Sequence, residues 1–108
     1  MKVVLITGAS SGIGFTTAKS LAGQGHKVYG AARRVEKMEE LKQYGVTPIK
    51  MDVTSEESVN EAVQQVIAAE KRIDVLVNNA GYGSYGAVED VSIDEARRQF
   101  EVISKAIS

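Results

Sequence analysis

The sequence predicts an α/β fold centred on a doubly wound parallel sheet with strand order 3-2-1-4. Three observations lead there. Short β-branched apolar runs alternate with segments of helical period, giving the order β-α-β-α-β-α-β-α. The first run, Val3 to Thr7, is apolar almost throughout and stops at Gly8, as a strand covered on both faces does. The third run carries Pro48, which cannot donate to a ladder and belongs at a sheet edge. A chain that winds outward from its first strand and then switches direction puts that third strand at an edge.

Each element has its own signal. From Gly12 to about Gln24, the spacing of Ile13, Thr17, Ala18, Leu21 and Ala22 is helical, with Gly23 and Gly25 marking the end. Lys27 to Ala32 reads as the second strand. Val35, Met38 and Leu41 line one face of a short helix that closes near Gly45. Val46 to Met51 is the third strand. Thr54 and Glu57 form a capping-box pattern ahead of an amphipathic stripe of Val59, Ala62, Val63, Val66 and Ile67. Ile73 to Val77 is the fourth strand, followed by a glycine-rich loop from Gly81 to Gly86. Ser92 and Glu95 can cap a last helix that carries Ile93, Ala96, Phe100 and Ile103.

Composition narrows the function classes. At 108 residues the chain is one domain, able to bury a core but small for a complete cofactor-dependent enzyme. The formal charge of −1 gives no electrostatic reason to expect nucleic acid or an anionic membrane as partner. With no cysteine, disulfides and thiolate chemistry are excluded. The run Val3-Val4-Leu5-Ile6 is too short for a signal-peptide core or a membrane span, so a soluble cytoplasmic protein is expected.

The chemistry concentrates where the first strand meets the first helix, at Thr7-Gly8-Ala9-Ser10-Ser11-Gly12-Ile13-Gly14. Gly8 lets the backbone leave the strand in a tight turn. Gly12 removes a side chain where a pyrophosphate would approach, and Gly14 permits close helix-to-strand packing. The amides at the helix start then face negative charge, with the Ser10 and Ser11 hydroxyls as further donors. The competing reading is an ordinary strand-to-helix turn. A nucleoside-triphosphatase loop is disfavoured, since no Lys-Ser or Lys-Thr follows the last glycine.

This octapeptide resembles the T-G-x-x-x-G-x-G fingerprint of the short-chain dehydrogenase/reductase family. The family's second signature, N-N-A-G, stands at Asn78-Asn79-Ala80-Gly81. The resemblance spans residues 1 to 102 and implies the cofactor-binding amino-terminal half of such an enzyme, a Rossmann-type sheet truncated relative to the full family fold. It implies that Gly8, Ser10, Ser11, Gly12, Ile13 and Gly14 surround a dinucleotide's phosphates and riboses. It gives the Asp52 carboxylate to the adenine amino group, a backbone contact to Val53, and the nicotinamide ribose to Asn79, Ala80 and Gly81. Asp52 could instead cap the following helix, and Asn78 and Asn79 could tie neighbouring strands together.

Cofactor choice rests on the end of the second strand. NAD-specific proteins place an acid there to bond the ribose hydroxyls. Here the stretch reads Tyr29-Gly30-Ala31-Ala32-Arg33-Arg34, with Ala32 in the acid's place. A guanidinium binds a 2′-phosphate through charge-assisted, often bidentate hydrogen bonds, so NADP is the expected cofactor. Arg33 is the first candidate and Arg34 the second. The alternative is a solvated basic pair at a helix start.

The family's catalytic tyrosine, with a lysine four residues on, has no counterpart in these residues. Tyr29, Tyr44, Tyr82 and Tyr85 are followed at that spacing by Arg33, Pro48, Gly86 and Glu89. Ile103 stands where relatives carry a catalytic asparagine, and residues 103–108 depart from the family pattern like an atypical tail. No residue is therefore assigned a catalytic role, and an inactive NADP-binding portion is expected. The other reading is a noncatalytic dinucleotide-binding or structural module. No residue pattern indicates a metal, and lone His26 reads as a turn residue. An apolar fourth strand left at the sheet end predicts a homo-oligomer formed through that strand or the last helix.

Overall fold

The computed structural model describes residues 1–10, 12–79 and 93–107. Its elements are β1 (Val3–Thr7), α1 (Gly12–Gly23), β2 (Lys27–Ala32), a 3₁₀ helix (Val35–Tyr44), β3 (Val46–Lys50), α2 (Glu56–Glu70), β4 (Val75–Asn78) and α3 (Ile93–Ile107). The strands form one parallel sheet in the order β3-β2-β1-β4, as the position of Pro48 requires. Pro48 pairs with Gly30 on the edge strand.

Because alternate residues of a strand face opposite ways, β1 feeds two cores at once. Val3 and Leu5 join Tyr29, Ala31 and Ile49 beneath the α2 stripe of Val59, Ala62, Val63 and Val66, with Ile103 of α3 beside them. Val4 and Ile6 join Val28, Ala18, Met38, Leu41 and Val46 on the opposite face, under α1 and the 3₁₀ helix. Every residue of β1 is buried, as a strand sandwiched between two helical layers must be.

Four local features differ from the sequence reading. The segment after β2 is 3₁₀ rather than a short helix of 3.6 period. Its buried residues, Met38 and Leu41, follow half-buried Val35 at intervals of three, and three residues per turn keep all of them on one face. Gly45 ends it in the left-handed region, φ 90°. The cap of α2 is Ser55, whose Oγ accepts from the Ser58 amide at 3.2 Å; Thr54 is not free to cap, because its hydroxyl is bonded to Asp52. β4 begins at Val75 instead of Ile73. The Asp74 carboxylate accepts from the Val3 amide at 2.8 Å, in place of a ladder carbonyl. β3 ends at Lys50, although the Met51 amide still donates to the Ala32 carbonyl at 2.9 Å.

In the middle of β2, Gly30 has no room for a side chain. A Cβ there would lie 3.0 Å from Ala9 Cβ and 3.2 Å from Val46 Cγ1. Its neighbour Tyr29 points to the other face, 7% exposed, and its hydroxyl donates to Glu70 Oε2 at 2.6 Å, tying the end of α2 to the sheet. Burial first, then the Glu70 carboxylate, push the Tyr29 pKa up to about 12. An acid with a raised folded pKa favours folding fully below its unfolded value and loses that contribution as pH climbs through the folded one. A spectrophotometric titration should therefore show one tyrosine ionising late, together with a loss of stability between about pH 10 and pH 12. Tyr29→Phe should abolish the late phase and lower stability at neutral pH by about 1 kcal/mol in urea unfolding.

Candidate functional site

In an open parallel sheet, the crevice for a ligand lies at the carboxyl ends of the strands, where successive strands diverge from the first. Here that point lies between β1 and β4. Thr7 Oγ1 donates to Asn78 Oδ1 at 2.8 Å, and Asn79 Nδ2 donates to the Gly8 carbonyl at 3.3 Å. The two strand ends are thus joined by side chains beyond their ladder. Asn78 and Asn79 both tie neighbouring segments together, Asn78 to the end of β1 and Asn79 to the loop that follows it.

The loop between β1 and α1 follows from its glycines. Gly8 and Gly12 adopt φ 66° and 62°, conformations that L side chains rarely take. Gly14 is needed for another reason: a Cβ there would stand 2.2 Å from the Gly8 carbonyl oxygen and 2.7 Å from Asn79 Nδ2. The Ala9 amide donates to the Ala31 carbonyl at 3.1 Å, which pins the loop to the end of β2. Ser10 is half-buried, Gly12 is exposed, and Ile13 is 76% exposed at the head of α1. Among the described residues nothing but its chain neighbours and its own helix lies within 4 Å of a Cβ placed on Gly12.

On the far side of the loop, Ala32 is buried at the end of β2, and Arg33 and Arg34 are exposed beyond it. Asp52 follows β3 in a tight turn. Its Oδ1 accepts from the Thr54 amide at 3.0 Å and from Thr54 Oγ1 at 2.6 Å. These bonds hold its carboxyl below the usual carboxylate range, with the nearby Arg33 charge adding to them. A depressed folded pKa contributes stability above the unfolded value, near pH 4, that is lost as pH falls through the folded one; at neutral pH Asp52 is an anion. It serves as a turn residue, not as the cap of α2. Val53 is buried in the core on the α2 side.

Ser11, Ala80 and Gly81 lie outside the described residues, as do Tyr82, Tyr85 and Ser92. The other expected site residues gather along one edge of the molecule. Sequence reasoning missed Thr54 and Ser58, which hold Asp52 in place; the signal was there in Asp-x-Thr, the spacing of a turn closed by an aspartate side chain. Among the described residues there is no cluster of His, Asp or Glu placed to hold a metal, and no helix is long and apolar enough to cross a membrane.

Comparison with known proteins agrees with this architecture. The model of the short chain dehydrogenase family matches residues 2–107. A 3-ketodihydrosphingosine reductase of Bacteroides thetaiotaomicron is 45% identical over 98 residues, covering 91% of this chain and 35% of that protein. The active-site complex of Pseudomonas aeruginosa RhlG with NADP superposes with a TM-score of 0.79 at 28% identity, over 98% of this chain and 43% of that one. A variant of the actinorhodin polyketide ketoreductase solved with NADPH gives 0.76 at 29%, over 97% and 47%. The chain belongs to the short-chain dehydrogenase family, a family of oxidoreductases. It spans 35% and 37% of the first two curated relatives it matches. The match runs through Ile107, and α3 likewise continues to Ile107 with Ile103 buried in the core.

The close approach at Gly14 makes a sharp prediction. Gly14→Ala should lower stability by about 3 kcal/mol or more, because backbone must move to admit the methyl group. Gly23→Ala, where nothing among the described residues crowds the new methyl group, should be neutral or stabilising by about 0.5 kcal/mol. Thermal unfolding of the two variants side by side checks both.

Proposed function

We propose that this chain binds NADP(H) through the loop between β1 and α1 and the ends of β2 and β3, as the amino-terminal portion of an oxidoreductase. The observation that carries the reading is the Gly8–Gly14 approach, which seats the head of α1 directly against the end of β1 with no side chain between them. A pyrophosphate needs such a cradle, since its oxygens must reach backbone amides at a helix start. Gly8, Ser10, Ser11, Gly12, Ile13 and Gly14 would line it, with Asn79, Ala80 and Gly81 toward the nicotinamide ribose. Arg33, with Arg34 behind it, would take the 2′-phosphate, and Asp52 with Val53 the adenine. The NADP and NADPH named for the two structural relatives support the phosphorylated form. When bound, the nicotinamide supplies hydride transfer to or from a carbonyl or alcohol carbon.

Turnover by this chain alone is not part of the reading, because no Tyr-x-x-x-Lys pair occurs in it. Association through β4, which stands at one end of the described sheet, or through α3 belongs to the same proposal.

Calorimetric titration should show NADPH binding more tightly than NADH by about tenfold or more, a difference that Arg33→Ala removes. Equal affinity for both would remove the role given to Arg33. With aldehyde and ketone panels, the purified chain should oxidise no NADPH above the background rate; a rate that survives repurification would show that other residues perform the chemistry.

A further inference from the structure

The turn between β3 and α2 holds Asp52 from several sides at once. Thr54 supplies two donors to a single carboxylate oxygen, Oδ1, at 3.0 and 2.6 Å. The Asp52 amide donates to Ser58 Oγ at 2.9 Å, and the Ser55 amide donates to the Asp52 carbonyl at 3.0 Å. Among the described residues, no donor reaches Oδ2. Arg33 is near enough for its charge to be felt by the carboxylate, yet the two do not form an ion pair. Thr54 is exposed, so its hydroxyl is not there to fill a core.

These facts divide the work of the two oxygens. An aspartate χ2 is broad and roughly two-fold, so a carboxylate on an exposed turn would ordinarily sample many orientations. Two bonds from one residue to the same oxygen restrict that freedom and leave the other oxygen, Oδ2, with its acceptor capacity unspent among the described residues. An ionised carboxylate accepts and cannot donate. Whatever meets Oδ2 must therefore bring an N–H or O–H.

We infer that Thr54 is a positioning residue for base recognition: by fastening Oδ1, it presents Asp52 Oδ2 to the exocyclic amino group of a dinucleotide's adenine. The inference rests on the cofactor site proposed above and adds to it the residue that sets the base preference. A hypoxanthine ring carries a carbonyl oxygen where adenine carries the amino group, and that oxygen repels the carboxylate. The site then discriminates between the two bases only while Asp52 is held in place.

The test is calorimetric titration of the 108-residue chain with NADP⁺ and with its hypoxanthine analogue, for the unsubstituted protein, Thr54→Val and Thr54→Ser. The unsubstituted chain should favour the adenine form by about tenfold, as for one hydrogen bond to a charged group. Thr54→Val should reduce that preference to about twofold while its affinity for the hypoxanthine analogue stays within about twofold, since no phosphate contact changes. Thr54→Ser, which restores the hydroxyl, should restore the preference. Retention of the full preference in Thr54→Val overturns the inference and leaves the cofactor site standing. A parallel weakening of both ligands also overturns it, because that is what a purely structural defect does. If the unsubstituted chain binds neither ligand, the cofactor site itself fails and the inference falls with it.

Discussion

Two backbone segments and one side chain meet at Gly14 with no space for a methyl group between them. The end of β1 is followed by the Gly8 carbonyl, the first turn of α1 contributes Gly14, and just past β4 the Asn79 side chain contributes its Nδ2. This contact fixes the angle at which α1 leaves the sheet, and so fixes where its open amino terminus points. The left-handed turns at Gly8 and Gly12 serve the same end, because only such a turn reverses the chain sharply enough to bring the helix back onto the strand. The two strands that flank the crevice are joined by parallel ladder bonds along their length and by Thr7 and Asn78 at their tips. A site built this way has its floor tied to both flanking strands.

The opposite end of the sheet is closed by polar side chains. Asp74 accepts from the Val3 amide and from Arg72 Nε, each at 2.8 Å, and Arg72 also donates to the Met1 carbonyl at 3.2 Å. His26 Nδ1 accepts from the Lys2 amide at 3.2 Å, and Tyr29 is bonded to Glu70. These groups satisfy backbone and carboxylate atoms that a strand end leaves open. The molecule is therefore polarised along its strands, with its polar needs met internally at the amino ends and a glycine-lined loop, exposed Ile13 and the two arginines gathered at the carboxyl ends.

Much of this was legible in the sequence, for physical reasons. Pro48 points to an edge, and a β-branched run without polar breaks points to burial on both faces, so the order of the sheet follows from few residues. The loop glycines were legible because their absent side chains are the message. Other features depend on atoms far apart in the chain. Tyr29 and Glu70 are separated by 41 positions, and no local pattern pairs them. An interval of three suits both a 3₁₀ and an α-helix over a short stretch, so Val35, Met38 and Leu41 do not decide between them. The cap of α2 falls on Ser55 because a stronger acceptor, the Asp52 carboxylate, competes for the Thr54 hydroxyl. In each case a long-range or competing polar contact outweighed a local preference.

Gly30 couples parts of the molecule that seem unrelated. It lies in mid-strand, yet Ala9 of the glycine loop, Val46 of the edge strand and Met38 of the 3₁₀ helix all crowd the position its side chain would occupy. Ala9 cannot retreat, since its own amide is bonded to the Ala31 carbonyl. The strand, the loop and the 3₁₀ cover are consequently packed together at this one position. A change of bulk deep in the sheet would be transmitted to the rim, so the shape of the crevice is governed partly by residues that no ligand ever touches.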